Sequence, residues 1–318
     1  MIYYRFVGPA LFVCLTVVFA QPGRAVIISG SAHPTQNAPA NNTAPSDDPG
    51  FNRVGMVGNG SAVYLGNGWC LTAAHVNRNT AFIVGGTTYA LTGQASQLKN
   101  PDNTSTDLTL FAITVPTGSG LAGLGTLPIS STQMTSGVSG TFIGTGLIQT
   151  SSTPTTWYVD TSTTPYTWST TNFTGANATA QGYIWASDST ANRQERWATV
   201  SSSGADVLYD SSQGNTGTAP FWGFPTTFTY SLNKGSASGH DSGGPLFIKV
   251  NQQWQLAGLA HLIYDISGQP ANTSVFQNES VFDDISFYRN QIVSAVPEPA
   301  SLVLLIPALA GLVTRRRR

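Results

Sequence analysis

Cysteine is almost missing: only Cys14 and Cys70 occur in 318 residues. That count excludes a disulfide scaffold and any zinc or iron–sulfur centre built on cysteine. Charge is scarce too, at 9% of residues, and nearly balanced, with a formal net charge of −1. No basic patch lies outside the two ends, so the chain lacks the electrostatic footprint of a nucleic-acid binder. What is plentiful is turn chemistry. Gly, Pro, Ser, Thr and Asn separate short alternating apolar runs, the pattern of an all-β protein. The length allows one large domain or two small ones.

Both ends read as processing signals. Residues 1–25 carry Arg5, an apolar stretch from Ala10 to Ala20, and candidate cleavage sites after Ala20 and Ala25, the order of a secretory signal peptide. Cys14 lacks the small neighbours of a lipid-modified cysteine and belongs to the apolar run. Residues 296–318 read Val296-Pro297-Glu298-Pro299, then an apolar run from Ala300 to Val313, then Arg315 to Arg318. The run is shorter than the ~20 residues of a stable spanning helix. The arginines would hold their end in the cytoplasm. The three-part tail resembles the PEP-CTERM sorting signal of Gram-negative bacteria. That resemblance implies an exosortase partner, transient membrane contact, cleavage near Pro-Glu-Pro, and delivery to the cell surface or surroundings.

Between the ends, residues 26–50 are irregular after a short strand at Val26-Ile27-Ile28. Strand patterns begin at Val54. Gly60–Leu65 and Gly68–Thr72 flank a hairpin turn at Gly66-Asn67. In Ser105–Ile113, Asp107 enters an alternating apolar strand, where a carboxylate is at least partly buried and must find a partner. The Gly/Pro/Ser-rich stretch 116–135 links two β modules. The Ser/Thr/Trp/Tyr-rich stretch 150–181 reads as hairpins with polar faces. Phe282–Val293 has helical spacing, with Asp283 and Asp284 near its start, and predicts a terminal helix docked on the second module.

Three elements carry chemistry: Thr72-Ala73-Ala74-His75, Asp107-Leu108-Thr109-Leu110, and Gly239-His240-Asp241-Ser242-Gly243-Gly244-Pro245. Each alone could be a turn, a cap or a packed side chain; together they supply a base, an orienting acid and a nucleophile. A serine hydroxyl attacks only when a base takes its proton, which an imidazole can do near neutral pH. A carboxylate on the other ring nitrogen fixes the tautomer and stabilises the cation. Small residues after the serine let backbone N–H groups approach a developing oxyanion. Asp102 is a rival acid, but its Pro-Asp-Asn setting is that of a plain turn.

The ordered trio resembles the trypsin/chymotrypsin family of serine peptidases over about residues 54–293. The resemblance implies an all-β fold of two six-stranded barrels, about 50–125 and 136–293, with a C-terminal helix, in a peptidase domain spanning 26–295. It implies a cofactor-free endopeptidase that hydrolyses peptide bonds through an acyl-enzyme on Ser242, with His75 as base and Asp107 as orienting acid. The N–H groups of His240 and Ser242 would form the oxyanion hole. Asp241 would shape that hole by pairing with a new N-terminal ammonium, which cleavage after Ala25 would place on Val26.

This chain departs from the family at four places. His240 stands where the family has glycine, and its Cβ burdens a backbone built for none. Ser236 stands at the base of the specificity pocket, where an acid would select Lys or Arg. His261-Leu262-Ile263 replaces the usual Ser-Trp-Gly of the substrate-pairing strand. Ile263 would then narrow the pocket entrance, and His261 either favours an acidic side chain or packs beside the triad. Finally, the disulfide near the histidine is missing, and Cys70 reads as a packed residue. These departures motivate a competing reading: a catalytically weak or inactive binding protein of the cell surface or matrix.

Overall fold

The computed structural model describes residues 26–30, 37–209 and 219–296. The signal-peptide and sorting-tail expectations, with Cys14, lie outside these residues. Among the described residues no helix is long and apolar enough to cross a membrane.

In chain order the first strands are β1 (Ile27–Ile28), β2 (Val54–Val57), β3 (Gly60–Gly66), β4 (Trp69–Ala73), β5 (Phe82–Val84), β6 (Thr87–Tyr89), β7 (Leu91–Lys99) and β8 (Ser105–Ile113). No strand interrupts the expected linker. Beyond it come β9 (Ser139–Gly144), β10 (Thr155–Asp160), β11 (Thr167–Ser169), β12 (Ala178–Ile184), β13 (Arg196–Ser201) and β14 (Val207–Tyr209). The last group is β15 (Phe221–Thr227), β16 (Gly235–Ser236), β17 (Pro245–Val250), β18 (Gln253–Tyr264), β19 (Thr273–Val275), β20 (Glu279–Asp284) and the helix α1 (Arg289–Ala295).

Two large sheets dominate, with orders β6-β5-β2-β3-β4-β8-β7 and β13-β9-β17-β18-β20-β15-β14. Each holds seven strands because a three-residue edge strand, β6 or β14, is added to the expected six. The chain is thus all-β, built on two large sheets with a short C-terminal helix.

Alternation explains how the two sheets meet. Along β17, Leu246 and Ile248 enter the core of the second sheet, while Phe247 points into a cluster shared with the first. Along β3, Ala62 and Tyr64 fill the first sheet's own core, while Val63 and Leu65 join that shared cluster. Such strands are apolar on both faces because each face has its own core to fill. Full burial of one large apolar side chain such as Phe247 contributes roughly 1.5–3 kcal/mol.

Local details differ from the sequence expectations in three places. The β3–β4 turn is Asn67-Gly68, not Gly66-Asn67. Both residues have positive φ, 50° and 82°, as a tight two-residue hairpin turn requires. Asp283 and Asp284 end a strand, not begin a helix: Phe282 pairs with both Phe224 and Ala260, and the carboxylate of Asp284 accepts the Ser286 N–H at 2.8 Å to start a 3₁₀ turn. Helix α1 therefore starts later. It lies in the shared cluster through Ile292 and reaches the first sheet, where the Gln291 amide pairs with the N–H and C=O of Lys99 at 2.9 and 2.8 Å.

The polar stretch 150–181 does form hairpins. Strands β11, β10, β12 and β19 make a small sheet, whose buried Trp157, Val159 and Val275 pack with Tyr166 and Trp168.

The N-terminal segment pairs through β1 with β16 and is gathered further by one buried side chain. Arg196, only 1% exposed, donates to the carbonyls of Pro39 (2.7 Å), Ala40 (2.5 Å) and Val26 (2.8 Å), and to Gln149 Oε1 (3.2 Å). Arg196→Met keeps the bulk and removes every donor, leaving buried carbonyls unsatisfied at about 1–3 kcal/mol each. The variant should lose about 3 kcal/mol of unfolding free energy in urea titrations. A change within about 0.5 kcal/mol, the range of ordinary surface substitutions, would show that Arg196 does not hold this segment.

Candidate active site

His75 and Asp107, the expected base and acid, come from adjacent strands of the first sheet. Strands β4 and β8 pair with Ala73 opposite Leu108, so the ends of both strands meet. The Ala74 N–H donates to the Asp107 carbonyl at 2.7 Å, and the His75 N–H donates to Asp107 Oδ1 at 2.9 Å. Asp107 Oδ2 then accepts the His75 Nδ1–H in a short hydrogen bond. The carboxylate is buried while the imidazole is one-third exposed, so the ring's other nitrogen is left toward solvent. Burial pushes the Asp107 carboxyl up, but hydrogen bonds from His261 and His75 outweigh it and hold it at about 2.

The serine loop comes from the second sheet and is stitched to the first. The N–H of Ser61, on β3, donates to the Ser242 carbonyl at 2.8 Å. The Ser61 hydroxyl approaches the His240 carbonyl (3.1 Å) and Thr145 Oγ1 (2.8 Å), and the Thr72 hydroxyl donates to the Ser61 carbonyl at 2.6 Å. Gly243 has φ of 86°, and a Cβ there would come within 2.2 Å of the Ser61 oxygen and 2.3 Å of Thr72 Oγ1. Only glycine allows this approach of the loop to the strand that leads to His75. Gly60 is tight for the same reason: a Cβ on it would meet Val76 Cγ2 at 2.4 Å and the Ser242 oxygen at 2.9 Å. The residues flanking both base and nucleophile therefore pack on one glycine.

Within the loop, the N–H groups of Asp241, Gly243 and Gly244 donate to the carbonyls of Ser238, Ala260 and Asp241. Those of His240 and Ser242 take no partner among the described residues. His240 has φ of 71°, a conformation that costs a non-glycine residue about 1–3 kcal/mol. Its ring is held at both nitrogens, Nδ1 at 2.7 Å from the Asn59 carbonyl and Nε2 at 2.8 Å from Asp188 Oδ1.

Asp241 is fully buried. Its Oδ1 accepts the Gly146 N–H (2.7 Å), and its Oδ2 accepts the Ser238 N–H (2.8 Å) and hydroxyl (3.0 Å). Burial raises its carboxyl to about 6, against the pull of these bonds. A Cβ on Gly144 would meet both Asp241 Oδ1 (2.1 Å) and Val26 Cγ2 (3.0 Å), so Val26 lies beside this carboxylate.

Of the expected specificity residues, Ser236 and Ile263 both lie against Ser280, while His261 is turned toward Asp107. Ser236 is 1% exposed, and its hydroxyl donates to the Ala237 carbonyl at 3.1 Å and lies 3.3 Å from Ser280 Oγ. Ile263 packs on the second sheet's core and pairs with Ser280. Of the two readings of His261, the structure has the one that packs it beside Asp107. Its side chain is wholly buried, with Nε2 2.9 Å from Asp107 Oδ2 and Nδ1 3.2 Å from Asp283 Oδ2.

Ser61, Asp188 and Asp283 were missed by sequence reasoning. Asp283 carried a usable signal, an acid inside the apolar run Val281-Phe282-Asp283. His75, Asp107 and His261 bring one ligand-type atom each within 4.8 Å of one another. Asp107 Oδ2 is already engaged by the His75 hydrogen bond and by the close approach of His261 Nε2, which makes the set a buried acid–base cluster. Cys70 is buried and unpaired by disulfide, and burial raises its thiol far above the usual range.

No family model and no curated protein sequence matches this chain. Among solved structures, it is similar to neuropsin, a serine protease expressed in the limbic system of mouse brain. The identity is 17% and the TM-score 0.42, over 74% of this chain and 88% of that one. It is also similar to a mutant of human heparin binding protein, with 13% identity and a TM-score of 0.44, over 79% of this chain and 95% of that one.

Proposed function

We propose that this protein is an exported serine endopeptidase that hydrolyses protein or peptide substrates through Ser242. The observation that carries the reading is the His75–Asp107 pair on one sheet, with the Ser242 loop bonded to that same sheet through Ser61. His75 takes the Ser242 proton as Oγ attacks the scissile carbonyl, and Asp107 stabilises the imidazolium that forms. The N–H groups of His240 and Ser242 receive the oxyanion. His75 then returns the proton to the leaving amine, and water releases the acyl group by the same route. The positive φ of His240 supports this role, because it holds a non-glycine residue in the turn that leaves its N–H unspent. Ser236 supplies no carboxylate for a Lys or Arg side chain, which favours uncharged substrate residues. The signal peptide, the Pro-Glu-Pro tail and an exosortase-type partner complete the reading as a surface or extracellular enzyme.

A fluorophosphonate probe should label the processed wild-type protein and leave Ser242→Ala unlabelled, with peptide hydrolysis falling at least ~10³-fold in the variant. Equal labelling of both proteins would exclude Ser242 as the nucleophile. Absence of labelling in correctly processed wild type would favour the non-catalytic binding protein, with His240 as its cause.

We propose that cleavage after Ala25 gives Val26 an ammonium that pairs with Asp241. In the uncleaved chain the folded carboxyl, at about 6, lies above its ordinary 3.8. The unfolded chain therefore ionises first, and stability falls as pH rises from about 4 to about 6, by about 3 kcal/mol from this group. An ammonium partner lowers the folded value and removes this loss. Thermal unfolding of the two forms at pH 4 and pH 7 should show a steeper decline, by about 3 kcal/mol, in the form that retains Ala25, on top of the decline that Asp283 and Glu195, also raised by burial, give both forms. A mature chain that starts at Gln21 would sink the proposal.

A further inference from the structure

The acid of the triad is backed by a second histidine–aspartate pair, which the serine-hydrolase reading does not use. His261 is the extra residue of a bulge in β18. The residues before and after it, Ala260 and Leu262, pair with consecutive residues Phe282 and Val281 of β20. A bulge re-aims its side chain, and this one drives the imidazole into the seam between the sheets. The ring stacks on Phe221 at 3.7 Å and 17° and lies 5.5 Å from the His75 ring. Its Nε2 is 2.9 Å from Asp107 Oδ2, and its Nδ1 is 3.2 Å from both oxygens of Asp283, which is wholly buried.

We propose that His261 and Asp283 form a positioning pair that sets the rotation and the effective charge of Asp107, so that the working unit is a buried row His75–Asp107–His261–Asp283. The inference rests on the serine-peptidase reading for its kinetic consequence, although the row can be tested without it.

The geometry leaves few alternatives. Both nitrogens of His261 lie close to carboxylates, Nδ1 in hydrogen-bond contact with Asp283 and Nε2 at ion-pair distance from Asp107, and a protonated ring is the form that matches a carboxylate on each side. Burial opposes that charge, but Asp283 first and Asp107 second hold the imidazolium to about 9. A cation beside Asp107 weakens the support that Asp107 gives to a developing imidazolium on His75. Asp283 offsets that cation from behind. The row thus alternates in sign, and the triad carboxylate keeps close to a full effective charge in a site without solvent. Other titratable groups near the row are few: Arg78 acts on Asp107, and Tyr288 and Asp284 lie close to Asp283.

The two halves of the pair make opposite predictions. Asp283→Asn leaves the His261 cation uncompensated, so the acidic limb of the kcat/KM profile moves to lower pH and kcat falls about 10- to 100-fold, the range for a misplaced triad. The double variant His261→Asn, Asp283→Asn removes the nearer positive charge, so the same limb moves to higher pH. KM changes less than about threefold in both, since neither residue meets substrate; circular dichroism confirms folding, and the double variant, without buried charge beyond Asp107, covers the case where Asp283→Asn fails to fold. In parallel, ¹⁵N-imidazole NMR of the Ser242→Ala protein should show His261 protonated at both nitrogens at pH 8; with Asp283→Asn the second proton is lost between the acidic limb and pH 8, so the uncompensated cation is still present where the limb is read.

A neutral His261 at pH 8 overturns the proposal whether or not the protein is an enzyme. Limbs that stay within 0.2 pH units (about the error of such a fit), or that move in the same direction, reduce the pair to packing and overturn it too. Absence of fluorophosphonate labelling with a doubly protonated His261 refutes the peptidase reading, and leaves the alternating row as the measured state of the buried groups.

Discussion

The Ser61 crossing holds the two sheets in register, and everything at the site depends on it. One small residue on β3 gives its N–H to the Ser242 carbonyl, its carbonyl to Thr72, and its hydroxyl to the neighbourhood of His240 and Thr145. Serine is the residue for this place because a longer side chain would separate the sheets and an apolar one would leave buried carbonyls unsatisfied. The glycines of the serine loop serve the same approach from the other side. Gly243 has no room for a Cβ against Ser61 and Thr72, so its conservation of space, as much as its φ, decides where Ser242 sits. Arg193 adds a second crossing, with its guanidinium bonded to the Gly58, Gly60 and Thr145 carbonyls.

That seam also explains why so much charge is buried in a chain with so little of it. Asp107, Asp283 and His261 lie between layers of apolar side chains, where isolated ions would be forbidden. Each is tolerated because its neighbour carries the opposite sign. Asp241, farther along, relies on backbone and hydroxyl donors instead, and its carboxyl is raised by burial in consequence. The difference between the two environments is physical: counter-ions stabilise the charged form of Asp107, while neutral donors only partly offset the desolvation of Asp241.

Much of this was legible in the sequence. Alternation marked many strands of both large sheets, and the placement of Asp107 in an apolar strand announced a buried acid with a partner. What stayed hidden was long-range. His261 looked like a member of a substrate-pairing strand because sequence does not display a bulge, and the bulge is what turns the ring toward Asp107. Asp283-Asp284 looked like a helix start because two acids before a 3.6-residue pattern satisfy the helix dipole. Cross-strand pairing with Phe224 and Ala260 overrode that local preference. Ser61 carried no signal at all: in a chain crowded with serine, nothing local distinguishes the one that bridges two sheets.

The order of the pieces along the chain has a consequence for biogenesis. His75 and Asp107 lie in the half made first, whereas Ser242, His261 and Asp283 lie in the half made last. Until the later strands are synthesised and laid against the earlier ones, the base has no hydroxyl to act on and Asp107 lacks its rear support. On the proposed reading, a nascent chain is thereby chemically silent toward its own unfolded segments, and the split of the site across two sheets makes completion of the fold the event that assembles it.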